Sequence, residues 1–469
     1  MKRRQFLTSS SSALLTAGIL SSVPARRAFA QDTARLTRLS MPPLLDTRAT
    51  GRLSLTAMAG SRRFSDGPAV ATAGFNQDYL GPTIIVQNGD LATEVTNRLD
   101  EPVSAHWHGL LVPGEHDGGP HLAIAPGATW RPEMVIAQDP ATAWYHTHIH
   151  ERTAAQVYSG LAGVIHVADG RDDQRGLPAE YGVDDLTLVL QDRRFDAAGR
   201  MVYDPSMMDI MHGFAGNRML VNGQAGATAV VPEGIVRLRL LNGSNARIYT
   251  LFFDDTRLMH LVATDGGYLP APLALDVLRL APGERAEILV DFAAGGAPVL
   301  LSDPGQPYGV LQFEKDPTQT ARIMRLPDQL DGAPEDLSGN EIRTRQVSLD
   351  MGMGGMMMGG GGFAINGRPF DMNRVDFEVA LGSVERWHVR STMVAHPFHV
   401  HGVRFRVVSE NGGPPRPEDT GWKDTVLVPG EAEILTRFDQ PASRETPLMF
   451  HCHILEHEDA GMMGQFTVT

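Results

Sequence analysis

The only cysteine of this 469-residue chain lies in the C-terminal stretch Met449-Phe450-His451-Cys452-His453-Ile454-Leu455-Glu456-His457, which is followed closely by Gly461-Met462. Successive side chains of a β-strand point to opposite faces, so the thiol of Cys452 and its two neighbouring imidazoles face opposite ways. His457 and Met462 can return to the cysteine's face. A thiolate, imidazoles and a thioether are the ligands of a blue-copper electron-transfer site. The stretch therefore predicts one strand that serves two metal sites, and a further imidazole must come from elsewhere.

The N-terminus indicates export. It contains the basic segment Lys2-Arg3-Arg4-Gln5-Phe6-Leu7, a short apolar segment from Ala13 to Leu20, and the small-residue cleavage site Ala28-Phe29-Ala30. This order is typical of a twin-arginine signal peptide. We expect residues 1–30 to be recognised by the Tat export machinery and the mature protein to be periplasmic. No later segment has the roughly 18 apolar residues that a membrane span needs, so we expect no membrane span.

The charge and the single cysteine restrict the partners. The formal net charge is −14, and removal of residues 1–30 takes away five basic residues and no acid. The mature chain then carries about −19, which argues against nucleic acid as a partner. One cysteine cannot form an internal disulfide, and a free thiol is a hazard in an oxidising compartment unless it is ligated. This favours a metal at Cys452.

Similar segments recur in three units of the chain. Asn222-Gly223 lies 60 residues before Pro282-Gly283, and Asn366-Gly367 lies 63 residues before Pro429-Gly430. Gly81-Pro82-Thr83 precedes Pro126-Gly127 in the N-terminal third. Self-similarity at this period indicates a triplicated module. The strands expected to be equivalent are Val95-Thr96-Asn97-Arg98-Leu99, Leu238-Arg239-Leu240-Leu241-Asn242-Gly243 and Trp387-His388-Val389-Arg390-Ser391.

The local pattern is β throughout. Val403, Phe405 and Val407 alternate with arginines, as in a half-buried strand, and 49 glycines and 31 prolines leave little room for long helices. We predict an all-β protein of three Greek-key β-sandwich domains. The expected boundaries are 31–170 for domain 1, 171–318 for domain 2, 319–362 for a linker and 363–469 for domain 3.

Four histidine-rich segments each contain a His-x-His pair, and the pairs hold eight of the 17 histidines. Such a pair on a strand places both rings on one face, where they can bind a common metal group. Eight imidazoles are enough for a three-copper cluster between the first and third modules. The middle module has no pair and is expected to be a spacer without copper. The segments are His106-Trp107-His108-Gly109, Trp144-Tyr145-His146-Thr147-His148, His396-Pro397-Phe398-His399-Val400-His401-Gly402 and the Cys452 stretch.

A methionine-rich run from Met351 to Met358 is followed by four glycines. It has no periodicity typical of a strand or helix. Its soft thioethers suit transient contacts with Cu(I), and a disordered low-complexity loop explains the same composition. Both interpretations stay open.

The four histidine segments resemble the copper-ligand motifs of the multicopper oxidases, and the resemblance covers essentially the whole mature chain. It is strongest to the bacterial three-domain laccase-like group, which includes cuprous oxidases of copper tolerance. The resemblance implies three cupredoxin-like domains and four copper ions. It assigns His396, Cys452, His457 and Met462 to the type 1 copper, and His106 and His399 to the type 2 copper. It assigns to the type 3 pair His108, His146, His148, His401, His451 and His453.

The resemblance also implies a reaction. Cu(I), phenols or aromatic amines would each give up one electron at the type 1 copper, with Cys452 leading the electrons to the cluster where dioxygen becomes water. Asp117 and Asp459 match acidic positions that the family uses for proton supply; the alternative at each is an aspartate that caps a turn. The expected partners are the small reducing substrate and dioxygen, and we expect a monomer.

Three other classes of protein are alternatives. An electron-transfer protein would need only the Cys452 site, and a copper-storage protein would bind copper through the methionine run. A structural periplasmic protein of the same fold would hold no copper.

Overall fold

The computed structural model describes residues 36–64, 67–352, 362–391 and 393–469. The expected signal peptide and residues 353–358 of the methionine run lie outside these ranges. Within them, β-strands dominate, and no helix has the length and apolar character needed to cross a membrane. The α-helices of the described ranges are α1 (Thr153–Ser159), α2 (Met207–His212) and α3 (Leu455–Asp459), and the 3-10 turns are Gly114–His116, Pro120–Leu122 and Pro417–Asp419.

The N-terminal third forms the first sandwich. One sheet has the strand order β2-β5-β10-β9 and the other β4-β3-β6-β7, with β8 also paired to β6. Alternate apolar residues of the two sheets meet in one core, for example Leu55 with Tyr145. The strand β1 (Thr37–Arg38) comes first in the chain but belongs to neither of these sheets. The strands of the first sandwich are β2 (Leu44–Asp46), β3 (Arg52–Arg62), β4 (Val70–Phe75), β5 (Thr83–Val86), β6 (Gly89–Asn97), β7 (Thr129–Trp130), β8 (Glu133–Ile136), β9 (Ala141–His146) and β10 (Ala162–Val167).

The second sandwich occupies the middle of the chain. Its sheets have the orders β12-β11-β14-β19-β16-β17 and β1-β13-β21-β20-β15-β18. Strand β1, expected in the first domain, is therefore an edge strand here, where it pairs with β13 in parallel. The strands are β11 (Asp185–Arg193), β12 (Arg218–Val221), β13 (Ala227–Glu233), β14 (Ile235–Asn242), β15 (Tyr249–Phe253), β16 (Met259–Thr264), β17 (Gly267–Leu275), β18 (Leu278–Leu280), β19 (Arg285–Asp291), β20 (Val299–Ser302) and β21 (Tyr308–Thr320).

The third sandwich completes the fold. Its sheets have the orders β23-β22-β25-β29-β27 and β24-β31-β30-β26-β28. The strands are β22 (Glu341–Met351), β23 (Phe363–Ile365), β24 (Phe377–Val379), β25 (Val384–Ser391), β26 (His396–Val400), β27 (Phe405–Glu410), β28 (Thr425–Val428), β29 (Glu431–Arg437), β30 (Leu448–Cys452) and β31 (Met463–Val468).

Part of the segment expected as a linker, residues 319–362, belongs to this third sandwich. Strand β22 lies inside it and pairs in parallel with β25. Val347 and Leu349 of β22 are buried in the core and alternate with more exposed residues, so the strand is held by an apolar face that composition alone did not reveal. The expectation of a linker is wrong for residues 341–351.

The three units repeat one arrangement, as the sequence predicts. Strands β6, β14 and β25, which contain the similar segments, each pair in parallel with an earlier strand, namely β3, β11 and β22. Each then pairs antiparallel with a later strand, namely β8, β19 and β29. The prediction of an all-β chain of Greek-key, cupredoxin-like sandwiches is confirmed.

Candidate copper centres

Two neighbouring strands of the third sandwich position most of the candidate ligands. Strand β30 ends at Cys452 and pairs antiparallel with β26, so that Phe398 lies opposite Cys452 and His399 lies opposite His451. Because side chains alternate along a strand, the thiol faces away from the imidazoles on either side of it. The single strand therefore contributes to two donor groups on opposite faces.

The first donor group surrounds the thiol. Sγ of Cys452 lies 3.2 Å from Nδ1 of His396 and 3.7 Å from Nδ1 of His457, which α3 carries. Met462 is fully buried, and its carbonyl accepts a hydrogen bond from the backbone N–H of Cys452 (3.1 Å). The structure thus brings the donor atoms of His396, Cys452 and His457 together, and it places the backbone of Met462 next to that of Cys452. We call this group the Cys452 centre.

Protonation states at the Cys452 centre favour a metal ion. Burial lowers the pKa of His396 to about 4 and that of His457 to about 3, so both rings are neutral at pH 7. Burial also raises the pKa of the Cys452 thiol. The thiol therefore needs a strong cation beside it to become a thiolate, and a coordinating metal ion supplies that charge.

The second donor group is a cluster of eight buried imidazoles between the first and third sandwiches. Donor atoms of His148, His401 and His451 lie within 4.8 Å of one another, as do those of two further trios. His453 lies beside them, with its ring centroid 5.1 Å from that of His108. The other trios are His106, His399, His401 and His106, His108, His146. We call these eight rings the histidine cluster.

Several rings of the histidine cluster have a bonded nitrogen and a nitrogen without a partner. Nδ1 of His106 lies 2.9 Å from the carbonyl of Asp117, and Nδ1 of His399 lies 2.8 Å from the carbonyl of Asp424. A ring whose Nδ1–H donates to a carbonyl offers the lone pair of Nε2 to a metal. Among the described residues, Nε2 of His106, His146 and His399 and Nδ1 of His108 have no hydrogen-bond partner. This donor set fits copper.

Burial keeps these rings uncharged. Loss of hydration lowers the pKa of His146, His399 and His401 well below the usual value, and neighbouring imidazoles lower it further. Burial also lowers the pKa of His451 to about 3. Neutral imidazole is the form that binds metal ions, so the cluster is ready to ligate at neutral pH.

Asp117 lies at the histidine cluster, as the sequence predicts. It follows the turn Gly114–His116 and is 1% exposed. Its Oδ2 atom lies 2.8 Å from Nδ1 of His401 and 3.3 Å from Nδ1 of His106. The carboxylate therefore orients one ring from each of the two sandwiches.

The structure places Asp459 at a helix terminus. Its carboxylate accepts hydrogen bonds from the backbone N–H groups of Thr153 (3.0 Å) and Ala154 (2.9 Å), at the start of α1. These bonds satisfy N–H groups that a helix leaves free at its N-terminus. Burial raises the pKa of Asp459 to about 7. This position matches the alternative of a capping aspartate, and proton supply by Asp459 stays a prediction.

Sequence reasoning missed Glu458, the residue before Asp459. Its two carboxyl oxygens lie 3.4 Å from Nδ1 of His148 and 3.3 Å from Nδ1 of His451. Burial raises the pKa of Glu458 well above its usual value. The sequence showed only three acidic residues around His457, namely Glu456, Glu458 and Asp459, and the direction of each side chain depends on how the short helix α3 packs.

Comparisons with known proteins identify the family of the chain. Three family models described as multicopper oxidase match residues 57–172, 141–297 and 343–469. Cell division protein FtsP of Sodalis glossinidius is 39% identical over 100% of this chain and 98% of its own length. FtsP of Escherichia coli is 38% identical over 100% of this chain and 99% of its own length.

Solved structures give the same fold. A bacterial laccase-like multicopper oxidase, CueO of Ochrobactrum sp., is 44% identical with a TM-score of 0.88 and covers 92% of this chain and 100% of its own. The multicopper oxidase McoA of Aquifex aeolicus is 32% identical with a TM-score of 0.82, over 93% of this chain and 100% of its own. The chain belongs to the multicopper oxidase family.

Proposed function

We propose that the chain is a copper-dependent oxidase that couples four one-electron oxidations of a reducing substrate to the reduction of dioxygen to water. The observation that carries this proposal is the set of buried ring nitrogens in the histidine cluster that have no partner among the described residues, together with Cys452 on the opposite face of β30. A buried nitrogen without a partner costs about 1–3 kcal/mol, and a copper-free structural role offers nothing in return.

The proposed ligands follow the two donor groups. His396, Cys452, His457 and Met462 would hold a type 1 copper, and His106 and His399 a type 2 copper. Bound copper supplies one-electron redox chemistry at both centres. The remaining rings of the histidine cluster would hold a type 3 pair: His108, His146, His148, His401, His451 and His453.

Electrons would travel along the chain itself. Cys452 is bonded on either side to His451 and His453, so a covalent path joins the Cys452 centre to the histidine cluster. On the outer side, Nε2 of His457 lies 3.2 Å from the carbonyl of Met211, which α2 carries. Met207 and Met208 of the same helix are 64% and 60% exposed. We place substrate at this methionine-bearing surface of α2.

Protons would come from buried carboxyl groups. Burial raises the pKa of Glu458 well above its usual value, which favours its protonated form, and the carboxyl group lies next to two rings of the histidine cluster. Asp117 lies next to two others. Each can pass a proton toward the reacting oxygen and take another up through the surrounding polar groups.

The proposed substrates are Cu(I), phenols and aromatic amines, and the proposed location is the periplasm, after Tat export, with a role in copper tolerance. The Ochrobactrum relative has oxidase activity towards lignin model compounds, which supports phenols. Oxygen uptake with Cu(I) and with a phenol separates the two classes. The double variant Met207→Leu and Met208→Leu, and deletion of residues 353–358, should slow Cu(I) oxidation alone. Unchanged Cu(I) oxidation in both would refute a thioether site for Cu(I).

The second candidate is a copper-free structural role in cell division, which the FtsP relatives favour. Metal analysis of protein purified from copper-supplemented cells decides between the two. The oxidase needs four coppers per chain, blue absorption from the Cys452 thiolate and oxygen uptake with a phenol. No copper and no oxygen uptake would leave the structural role, and one copper per chain without oxygen uptake would fit an electron-transfer protein instead.

A further inference from the structure

The middle sandwich, expected to be a spacer, reaches the histidine cluster. The turn Pro282-Gly283-Glu284 leads into Arg285, the first residue of β19, and these residues contact both other sandwiches, at His453 and Thr142. Gly283 has a φ of +83°, and a Cβ added there would lie 2.8 Å from Cδ2 of His453. A residue with a side chain would therefore displace this ring, since 2.8 Å is well inside van der Waals contact.

Arg285, in the second sandwich, forms hydrogen bonds to both other sandwiches. Its Nε–H donates to the carbonyl of Thr142 (2.9 Å) in the first sandwich. Its Nη1 and Nη2 atoms donate to the two oxygens of Asp424 in the third, at 2.7 and 2.5 Å. Arg285 is 1% exposed and Asp424 is 2% exposed. A buried bidentate pair of this kind fixes the plane of the carboxylate.

Asp424 in turn contacts two rings of the histidine cluster. Its Oδ1 atom lies 3.0 Å from Nε2 of His108, and its backbone carbonyl lies 2.8 Å from Nδ1 of His399. A carboxylate only accepts hydrogen bonds, so His108 must carry its proton on Nε2. Nδ1 of His108, which has no partner among the described residues, then presents its lone pair to the cluster.

We propose that Arg285 and Asp424 are positioning residues that select the Nε2–H tautomer of His108 and aim its Nδ1 atom at the copper cluster. The middle sandwich thereby helps to orient a ligand of the cluster. The proposal rests on the proposed copper-oxidase function for its consequence, but the tautomer of His108 is a property of the protein alone.

The first test uses the full-length wild-type chain without copper. Histidine side chains labelled with 15N report by NMR which ring nitrogen carries the proton, and the His108 signal is assigned by its loss in His108→Gln. We expect the Nε2–H form. The Nδ1–H form would overturn the proposal, and the tautomer itself is read from the wild-type spectrum.

The second test compares Arg285→Lys and Asp424→Asn with Arg239→Lys. Arg239 is another buried arginine of the middle sandwich, 6% exposed, and its guanidinium bonds to Asp185 and Glu287. Changes of groups that orient metal-binding histidines typically cost about 10–100-fold in metal affinity. We expect Arg285→Lys and Asp424→Asn to retain copper less well against a chelator, by this factor, and to show an altered His108 signal. We expect neither change in Arg239→Lys.

Two outcomes separate this inference from the proposed function. Wild-type retention and an unchanged His108 signal in folded Arg285→Lys and Asp424→Asn would overturn the inference while the oxidase stands. A wild-type chain that binds no copper but has His108 in the Nε2–H form would defeat the oxidase and leave the orientation of His108 established.

Discussion

Oδ2 of Asp117 lies 2.8 Å from Nδ1 of His401, although 284 residues separate the two along the chain. The aspartate belongs to the first sandwich and the histidine to the third. The same oxygen lies 3.3 Å from Nδ1 of His106. One buried carboxylate thus fixes a ring from each side of the interface, and the two sandwiches must be docked before the cluster has its shape.

Asp117→Asn should lower copper retention at the histidine cluster and turnover by about 10–100-fold, because an amide fixes ring orientation less well than a carboxylate. Blue absorption should survive, since Asp117 does not contact the Cys452 centre. Copper analysis measures the retention, and oxygen uptake measures the turnover. Asp139→Asn is the control, because Asp139 is exposed and pairs only with Arg404 among its described contacts. Equal turnover in both variants would contradict the assignment.

Glu458→Gln and Asp459→Asn separate two neighbouring carboxyl groups. Glu458 lies beside His148 and His451, whereas Asp459 binds the first N–H groups of α1. We expect turnover to fall about 10²-fold or more in Glu458→Gln, with copper content kept, because proton transfer by a positioned side chain contributes on that scale. Asp459→Asn should mainly lower the unfolding temperature. A larger loss of turnover in Asp459→Asn than in Glu458→Gln would indicate that Asp459 supplies the protons.

Cys452→Ser should abolish blue absorption and turnover and reduce copper from four to three per chain. The residue is fully buried in the core of the third sandwich, and serine is nearly isosteric, so the fold should survive. Circular dichroism checks the fold, and metal analysis counts the ions. Retained turnover would show that electrons do not enter through the Cys452 centre.

His166 predicts a pH dependence of stability outside the copper centres. It is buried where the first and second sandwiches meet, 3.0 Å from the hydroxyl of Thr187, and burial lowers its pKa well below 6.5. The unfolded chain therefore binds a proton on this ring more readily than the folded chain does. The contribution of neutral His166 to the free energy of unfolding is complete above about pH 6.5 and is lost as the pH falls further. The slope is at most about 1.4 kcal/mol per pH unit.

His166→Gln should remove that slope. Denaturant unfolding of both proteins between pH 7.5 and 5 gives the difference in free energy of unfolding at each pH. The advantage of the wild type should shrink as the pH falls. Parallel curves for the two proteins would mean that His166 binds a proton in the folded chain as readily as in the unfolded chain, and would refute the linkage.

The sequence alone determined the fold class and the candidate ligands. Alternation of apolar residues and the threefold recurrence of similar segments predicted the sandwiches, because the period of a strand is local information. The His-x-His pairs and the lone cysteine predicted which residues gather, because side-chain direction along one strand follows from the same period.

Only the tertiary structure decided what surrounds those ligands. Arg285 and Asp424 lie far apart in the chain and carry no motif, and Glu458 and Asp459 are adjacent yet serve different neighbours. Such contacts depend on how three sandwiches dock and how one short helix is seated, which is set by packing between distant segments. No local sequence pattern predicts how distant segments dock, whereas the alternation along β30 predicts which side chains share a face.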